Sequence, residues 1–301
     1  MLLFDTHADT LYSLAMHPGE PTDVTADRLR QGGVSAQTLA LYVGDSDRLS
    51  DIGAAFEKML AQEQKLREAG WKKLDDYRDA SENETAYVLS VEGCDLLNGS
   101  TELLSAWREK GVRMAALTWN YENSLGVPAK VDQGTPLKPF GREAVREMQR
   151  LGIAPDVSHL NRQGFFDLLE MGAVPLASHS CCDILCRHCR NLTDDQLVEL
   201  FSAGGYVGVN FYPWFLRNDG NADLDSVCNH VIHMLEIGGE GKVGFGSDFD
   251  GIECKPLGLT GPQDFPRLLE RLRQRGLTEG EIEGIAGKNL LAYYDRIDPR
   301  K

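Results

Sequence analysis

The sequence has few basic residues for its acidity and no long apolar segment. Its 31 lysines and arginines are outnumbered by 46 aspartates and glutamates, which gives a net charge of −15 at pH 7. So acidic a surface argues against a nucleic-acid partner and against binding to an anionic membrane. No apolar run reaches the roughly 18 residues that a membrane span needs, so we expect no transmembrane helix.

Signals for secretion and for disulfide bonding are missing as well. The first residues enter an apolar segment at once, without the charged leader and apolar core of a signal peptide. Seven cysteines are an odd number, in a chain of 301 residues that is far longer than a disulfide-stabilised scaffold. We therefore expect reduced thiols and a cytoplasmic location.

Short apolar segments alternate with segments of helical periodicity along the chain. Most of the apolar segments lack a polar face, which is typical of buried parallel strands. The predicted strands are residues 2–4, 34–43, 86–91, 112–118, 153–158, 174–178, 206–211 and 242–247. The predicted helices include residues 10–16, 25–31, 52–69, 103–110, 140–151, 164–171, 192–202, 224–237 and 288–297.

This alternation predicts an α/β fold, a single-domain (β/α)8 TIM-type barrel over residues 1–301. An open, doubly wound sheet is the alternative architecture. It would be favoured by a glycine-rich phosphate loop after the first strand, and the sequence has none there.

Histidines and carboxylates stand where predicted strands end, the end at which barrel enzymes carry their active sites. These residues are His7 and Asp9 after the first strand, Glu92 after the third, His159 after the fifth, His179 after the sixth and Asp248 after the eighth. His7 and Asp9 can converge because residues two apart on an extended chain face the same side. Each residue alone could be structural, but together they favour a metal site.

Three imidazoles and two carboxylates are enough to hold two metal ions. With Glu92 as the bridge, His7 and Asp9 would bind one ion and His159 and His179 the other, each with a position open for water. Two ions about 3.5–4 Å apart can share a hydroxide that is nucleophilic at neutral pH.

The motifs around these residues resemble those of the renal (membrane) dipeptidase family, within the amidohydrolase superfamily. They are Asp5-Thr6-His7-Ala8-Asp9, Ser90-Val91-Glu92-Gly93, Asp156-Val157-Ser158-His159, Ser178-His179-Ser180, Arg190-Asn191, Val209-Asn210-Phe211-Tyr212 and Gly246-Ser247-Asp248-Phe249-Asp250-Gly251. The resemblance runs nearly from end to end. It implies a (β/α)8 barrel with two zinc ions per chain that hydrolyses dipeptides, often with a D-residue at the C-terminal position.

The resemblance also implies roles for individual residues. The metal ligands are the five named above, with Glu92 bridging. Arg190 matches the arginine that receives the free carboxylate of the substrate, and Asp248 matches the acid/base aspartate. Asn210 and Tyr212 match a segment that lines the substrate pocket.

One position departs from the family pattern. Members like the renal enzyme have a substrate-contacting histidine where this chain has Trp119. An indole offers one N–H donor and no acceptor. The contact is then lost, made by Trp119 itself, or moved to Asn120, Tyr121 or Asn123. The chain resembles a soluble bacterial-type member, without the leader and anchor of membrane-attached relatives, and the dimers common among relatives make a homodimer an expectation.

Two other functions stay open on the sequence alone. The same centre could catalyse another amidohydrolase reaction, such as that of a deaminase, lactonase or phosphoesterase. A non-catalytic metal-binding protein is the third hypothesis, and the presence of every ligand type argues against it. A separate structural zinc at Cys186-x-x-Cys189 is disfavoured because no second cysteine pair matches it.

Overall fold

Parallel strands form a closed barrel in the computed structural model, which describes residues 1–42 and 52–299. The strands are β1 (Phe4–Asp5), β2 (Ala36–Tyr42), β3 (Lys72–Lys73), β4 (Ala86–Glu92), β5 (Val112–Ala116), β6 (Ala154–Asp156), β7 (Leu176–Ser180), β8 (Tyr206–Val209) and β9 (Val243–Phe245). They are ordered β2-β1-β9-β8-β7-β6-β5-β4, and pairing of β2 with β4 closes the ring, while β3 pairs only with the start of β4. This confirms the predicted eight-stranded barrel and excludes the open sheet.

Helices follow the strands and surround the barrel. They are α1 (Thr10–Met16), α2 (Ala26–Gly32), α3 (Ile52–Glu68), α4 (Glu102–Glu109), α5 (Pro139–Leu151), α6 (Arg162–Glu170), α7 (Asp194–Ser202), α8 (Pro213–Leu216), α9 (Leu224–Met234), α10 (Phe265–Gln274), α11 (Glu279–Glu283) and α12 (Asn289–Ile297). Side chains cap several of them: Thr193, for example, forms a capping box with Gln196 at the start of α7. Among the described helices, none combines the length and apolarity needed to cross a bilayer.

All eight strands of the closed ring were predicted, but β3 was missed and the predicted ends are often wrong. The predicted strand 206–211 ends at Val209, and the strand 242–247 is reduced to Val243–Phe245. The strand 174–178 is shifted to Leu176–Ser180, so that His179 lies inside β7 instead of after it. In the strand 34–43, Val43 lies outside the described residues.

The amino end of the barrel is filled with packed side chains. Phe4, Met114, Leu176 and Tyr206 come from four different strands and belong to one buried cluster. Tyr293 of α12 joins the same cluster, so α12 packs against this end. A ligand can therefore enter only from the opposite, carboxyl end of the barrel, where the predicted site residues lie.

Candidate active site

His7 stands at the centre of one half of the site. Its Nε2 atom lies 3.8 Å from Asp9 Oδ1, 3.8 Å from Asp248 Oδ1 and 3.7 Å from Glu92 Oε1. All four side chains are largely withdrawn from solvent. Residues that are up to 241 positions apart in the sequence are thus neighbours in the fold.

Glu92 joins this half to two further imidazoles. Its Oε1 atom lies 2.9 Å from His159 Nε2 and 3.4 Å from His179 Nε2. The two Nε2 atoms are themselves 3.0 Å apart. One oxygen of Glu92 is therefore within about 4 Å of all three histidines, the position that a bridging ligand requires.

The backbone that brings His7 and Asp9 together differs from the predicted one. Asp9 is the N-cap of α1, with φ −93° and ψ 26°, so it does not lie on an extended strand. The two side chains lie close together, as sequence reasoning expected of a strand end, but alternation of side chains along a strand does not explain their proximity. The turn into α1 directs the carboxylate instead.

Hydrogen bonds to the Nδ1 atoms orient two of the imidazoles. His179 Nδ1 lies 2.8 Å from Ser178 Oγ, and that hydroxyl donates to the carboxylate of Asp156. His159 Nδ1 lies 3.1 Å from Asn120 Oδ1. Partners of this kind fix the ring so that Nε2 faces the site. Sequence reasoning missed the supporting role of Asp156 and Ser178, although both lie within the motifs that contain the two histidines.

Burial shifts the pKa values throughout the site. It raises the pKa of Glu92 well above its usual value and that of Asp248 to about 6. It lowers the pKa of His159 and of His179 well below the usual value. For His7, burial also acts to lower the pKa, but the adjacent carboxylates, Glu92 foremost, raise it to about 10. Several carboxylates are therefore buried close together, and a divalent cation bound among them would compensate their negative charge.

The arrangement of donor atoms fits divalent metal ions. Within residues 1–42 and 52–299, the buried atoms His7 Nε2 and Asp9 Oδ1 have no hydrogen-bond partner. Two groups of candidate ligands, each within 4.8 Å of one another, are His7 with Glu92 and His179, and His7 with Asp9 and Asp248. Two ligands of one tetrahedral ion are about 3.4 Å apart, close to the separations measured above. Asp248 is near enough to be a further ligand as well as an acid/base group.

Arg190 lies in the loop after β7, buried, without an ion-pair partner within 4.0 Å among the described residues. Its Nη1 has no hydrogen-bond partner in the described part of the chain. Burial lowers the pKa of this guanidinium, although the charges of Glu92 and Asp248 act to raise it. A buried cation with a free donor is suited to bind an anionic group of a ligand.

The three remaining candidates adjoin the same space. Asn210 Nδ2 donates to Asp248 Oδ2 at 2.9 Å. Asn210 therefore orients the carboxylate of Asp248. The backbone N–H of Tyr212 donates to Asn210 Oδ1 at 2.6 Å. The ring of Trp119 lies 6.1 Å from that of His159, between centroids. Trp119 is therefore beside the candidate metal ligands.

Comparison with known proteins gives a family match. A model of the membrane dipeptidase family, peptidase family M19, matches residues 1–298. Two uncharacterized dipeptidases of Schizosaccharomyces pombe are 36% identical over 218 residues and 32% identical over 289 residues. The alignments cover 71% and 92% of this chain but 53% and 64% of the relatives, so the chain spans about half to two thirds of their length.

A solved structure supports the same fold. A metallopeptidase from Rhodobacter sphaeroides, bound to a phosphinate mimic of the dipeptide L-Ala-D-Ala, superposes with a TM-score of 0.91. The match covers 99% of both chains at 24% sequence identity. At this identity the likeness establishes the barrel fold.

Proposed function

The chain belongs to the membrane dipeptidase family, and we propose that it is a zinc-dependent dipeptidase that hydrolyses the peptide bond of dipeptides. The observation that carries the proposal is the convergence of three imidazoles and three carboxylates near a buried arginine whose Nη1 has no hydrogen-bond partner among the described residues. Substrates include dipeptides with a D-residue at the C-terminal position, as in the mimic bound by the Rhodobacter sphaeroides protein.

The metal ligands are divided between two zinc ions. His7 and Asp9 would hold one ion, His159 and His179 the other, and Glu92 both. The distances from Glu92 Oε1 to the three imidazoles support the shared role of Glu92. When bound, the zinc ions would supply a hydroxide nucleophile at neutral pH and would polarise the scissile carbonyl.

Asp248 carries the proton during hydrolysis. Its carboxylate takes a proton from the attacking nucleophile and gives it to the leaving amine. Asn210 donates to Asp248 Oδ2, which leaves Oδ1 facing His7 and the centre of the site. Asn210 thereby fixes which oxygen exchanges the proton.

Arg190 binds the C-terminal carboxylate of the dipeptide. Burial strengthens an ion pair formed there, because the low dielectric of a dry site increases the Coulomb attraction. Tyr212 and Trp119 line the space between Arg190 and the metal ligands in this proposal, and Trp119 contacts the substrate in place of the histidine of renal-type relatives.

The proposal extends to the chain as a whole. We take residues 1–301 as one barrel domain, acting in the cytoplasm and assembling as a homodimer. All seven cysteines are free thiols in the structure, which is the form expected in a reducing compartment.

A substrate panel tests the reaction. L–L and L–D dipeptides are compared with N-acyl amino acids, lactones, phosphodiesters and deaminase substrates, before and after chelation and with zinc restored. Dipeptide hydrolysis that is lost to the chelator and recovered with zinc supports the proposal. Turnover confined to another class would assign a different amidohydrolase reaction, and zinc binding without turnover would identify a metal-binding protein.

Replacement of the arginine tests the orientation of the substrate. Arg190→Ala should raise KM about 10- to 100-fold for a dipeptide with a free C-terminus, since a hydrogen-bonded charge pair is lost. The C-terminally amidated form of the same dipeptide is the control and should change less than about twofold. Steady-state kinetics on both substrates decide the point: equal losses would contradict this role for Arg190.

A further inference from the structure

Residues 181–192, here called the arginine loop, carry Arg190 between β7 and α7. The base of the loop is held by backbone hydrogen bonds, from Leu192 N to Cys181 O and from Asp183 N to Leu192 O, both 2.8 Å. These bonds fix the two ends of the loop. The part that carries Arg190 lies beyond them and depends on other contacts.

His188 supplies such a contact through its imidazole. The backbone N–H of Arg190 donates to His188 Nδ1 at 3.1 Å. An Nδ1 atom that accepts has no proton, so the ring is neutral with its hydrogen on Nε2. The same ring packs against Phe215 of α8, with centroids 4.5 Å apart. His188 thus connects the backbone of Arg190 to a neighbouring helix.

Phe215 contacts three residues of the arginine loop, His188, Arg190 and Asn191. The guanidinium carbon of Arg190 lies 5.6 Å from the centroid of the Phe215 ring. Asn191 Nδ2 donates to the carbonyl oxygen of Phe215 at 2.8 Å. Within the part of the chain that the structure describes, no carboxylate forms an ion pair with Arg190. The position of the guanidinium therefore depends on the backbone of Arg190 and on the Phe215 ring.

We propose that His188 is a positioning residue, whose imidazole holds the backbone of Arg190 so that the guanidinium lies where the carboxylate of the substrate binds. The inference rests on the proposed function, in which Arg190 receives that carboxylate. It assigns to His188 an effect on substrate binding without contact with the substrate. A displacement of about 1 Å in such a contact can cost about 100-fold in rate.

The surroundings of His188 argue against a metal site, and substitution can separate a positioning role from a purely packing one. A metal site with Cys186 and Cys189 would need His188 Nδ1 or Nε2 as a ligand together with both thiols. Nδ1 is already occupied by the N–H of Arg190, and Cys186 Sγ donates to Trp214 O at 3.1 Å while Cys189 is exposed. A purely packing role would depend on the ring and not on its nitrogen.

Two variants separate the nitrogen from the ring. His188→Asn places an amide oxygen near the position of Nδ1 and keeps the acceptor, but it removes the ring. His188→Phe keeps a ring against Phe215 and removes the acceptor. Ile184→Ala is the matched control, because Ile184 is an exposed residue of the arginine loop. Each is assayed with a free dipeptide and with its C-terminal amide, and each melting temperature is recorded.

The expected order of the variants follows from the lost acceptor. For the free dipeptide, His188→Phe should raise KM about tenfold with kcat nearly unchanged, and His188→Asn should stay within about threefold of wild type. For the amide, all variants should lie within about twofold of wild type. Ile184→Ala should match wild type on both substrates.

Other outcomes overturn the inference, and they are distinguishable from failure of the proposed function. The positioning role is wrong if His188→Phe matches wild type, if His188→Asn is the poorer variant, or if both substrates lose equally. In those cases wild type still prefers the free dipeptide and Arg190→Ala still abolishes the preference. If wild type hydrolyses no dipeptide, or shows no such preference, the proposed function and the inference both fall.

Discussion

At the scale of single residues, Asp248 is held in an unusual backbone conformation. Its φ of +65° lies in the left-handed region, which residues other than glycine adopt rarely. Its backbone N–H donates to His7 O at 3.1 Å, and its side chain accepts from Asn210. These contacts hold the carboxylate beside the candidate metal ligands, as an acid/base group requires.

Asp248→Asn tests that role. An amide has the shape of the carboxylate but does not take up a proton at neutral pH, so kcat should fall about 100- to 10,000-fold. Zinc content, measured by mass spectrometry of the purified protein, should stay at two ions per chain. Loss of one zinc with the activity would make Asp248 a metal ligand instead of the proton carrier.

At Gly251 the site leaves no room for a side chain. A Cβ built on Gly251 would lie 2.6 Å from Asp248 Oδ1 and nearer still to Asp9 Oδ2. Gly251→Ala should therefore displace one or both carboxylates and lower zinc affinity about 10- to 100-fold, measured by competition with a chromogenic chelator. Gly134→Ala is the control, since no atom of the described residues lies within 4 Å of a Cβ built there. Unchanged affinity in Gly251→Ala would contradict the placement of these two carboxylates beside a bound zinc ion.

The sequence could identify the residues of the centre but not the groups that orient them. His159 and Glu92 are recognisable because they stand at the ends of apolar segments. Asp156 orients His179 through Ser178, across 22 positions of sequence, and such a hydrogen bond depends on the pairing of β6 with β7. No pattern in the local sequence predicts a hydrogen bond between two different strands.

At the scale of elements, periodicity can predict a helix closely even without a capping side chain. The predicted helix 10–16 coincides with α1, Thr10–Met16, whose N-cap Asp9 makes no side-chain capping hydrogen bond. Strand ends are poorly predicted because apolar residues continue past the last ladder hydrogen bond. Phe211 shows why: it follows β8 and is buried, with its ring 5.8 Å from that of Phe249 in the loop after β9. The four-residue helix α8 is too short for periodicity to reveal.

His230 of α9 links three elements through a neutral imidazole. Its Nδ1 accepts from Cys182 N at 3.0 Å, and its Nε2 donates to Leu216 O at 3.0 Å. Burial lowers the pKa of His230 to about 4. The unfolded chain, with a histidine pKa near 6.5, therefore binds more protons between about pH 6.5 and pH 4. The stability that His230 contributes is therefore fully present above pH 6.5 and is lost as the pH drops through this window.

His230→Gln removes this titration. Between pH 7 and pH 5, wild type should lose about 2 kcal/mol more free energy of unfolding than the variant. Chemical denaturation of both proteins at the two pH values, without metal, measures the difference. Equal losses would mean that His230 is not held neutral in the folded protein.

At the scale of the whole molecule, barrel closure creates the site. The six central residues come from the ends of β1, β4, β6, β7 and β9, and the ring of strands closes through pairing of β2 with β4. Eight alternating strands and helices made this closure predictable. The short distances among the six central side chains could not be predicted, because they depend on strand register and on turns such as the one at Asp9.

The central claim is that the closed barrel gathers these side chains around two zinc ions. An anomalous difference map, collected at the zinc absorption edge from crystals of the zinc-loaded protein, measures it directly. The account predicts two peaks, one beside His7 and Asp9 and the other beside His159 and His179, with Glu92 contacting both. Zinc found only elsewhere in the chain, or no peak between these residues, would contradict it.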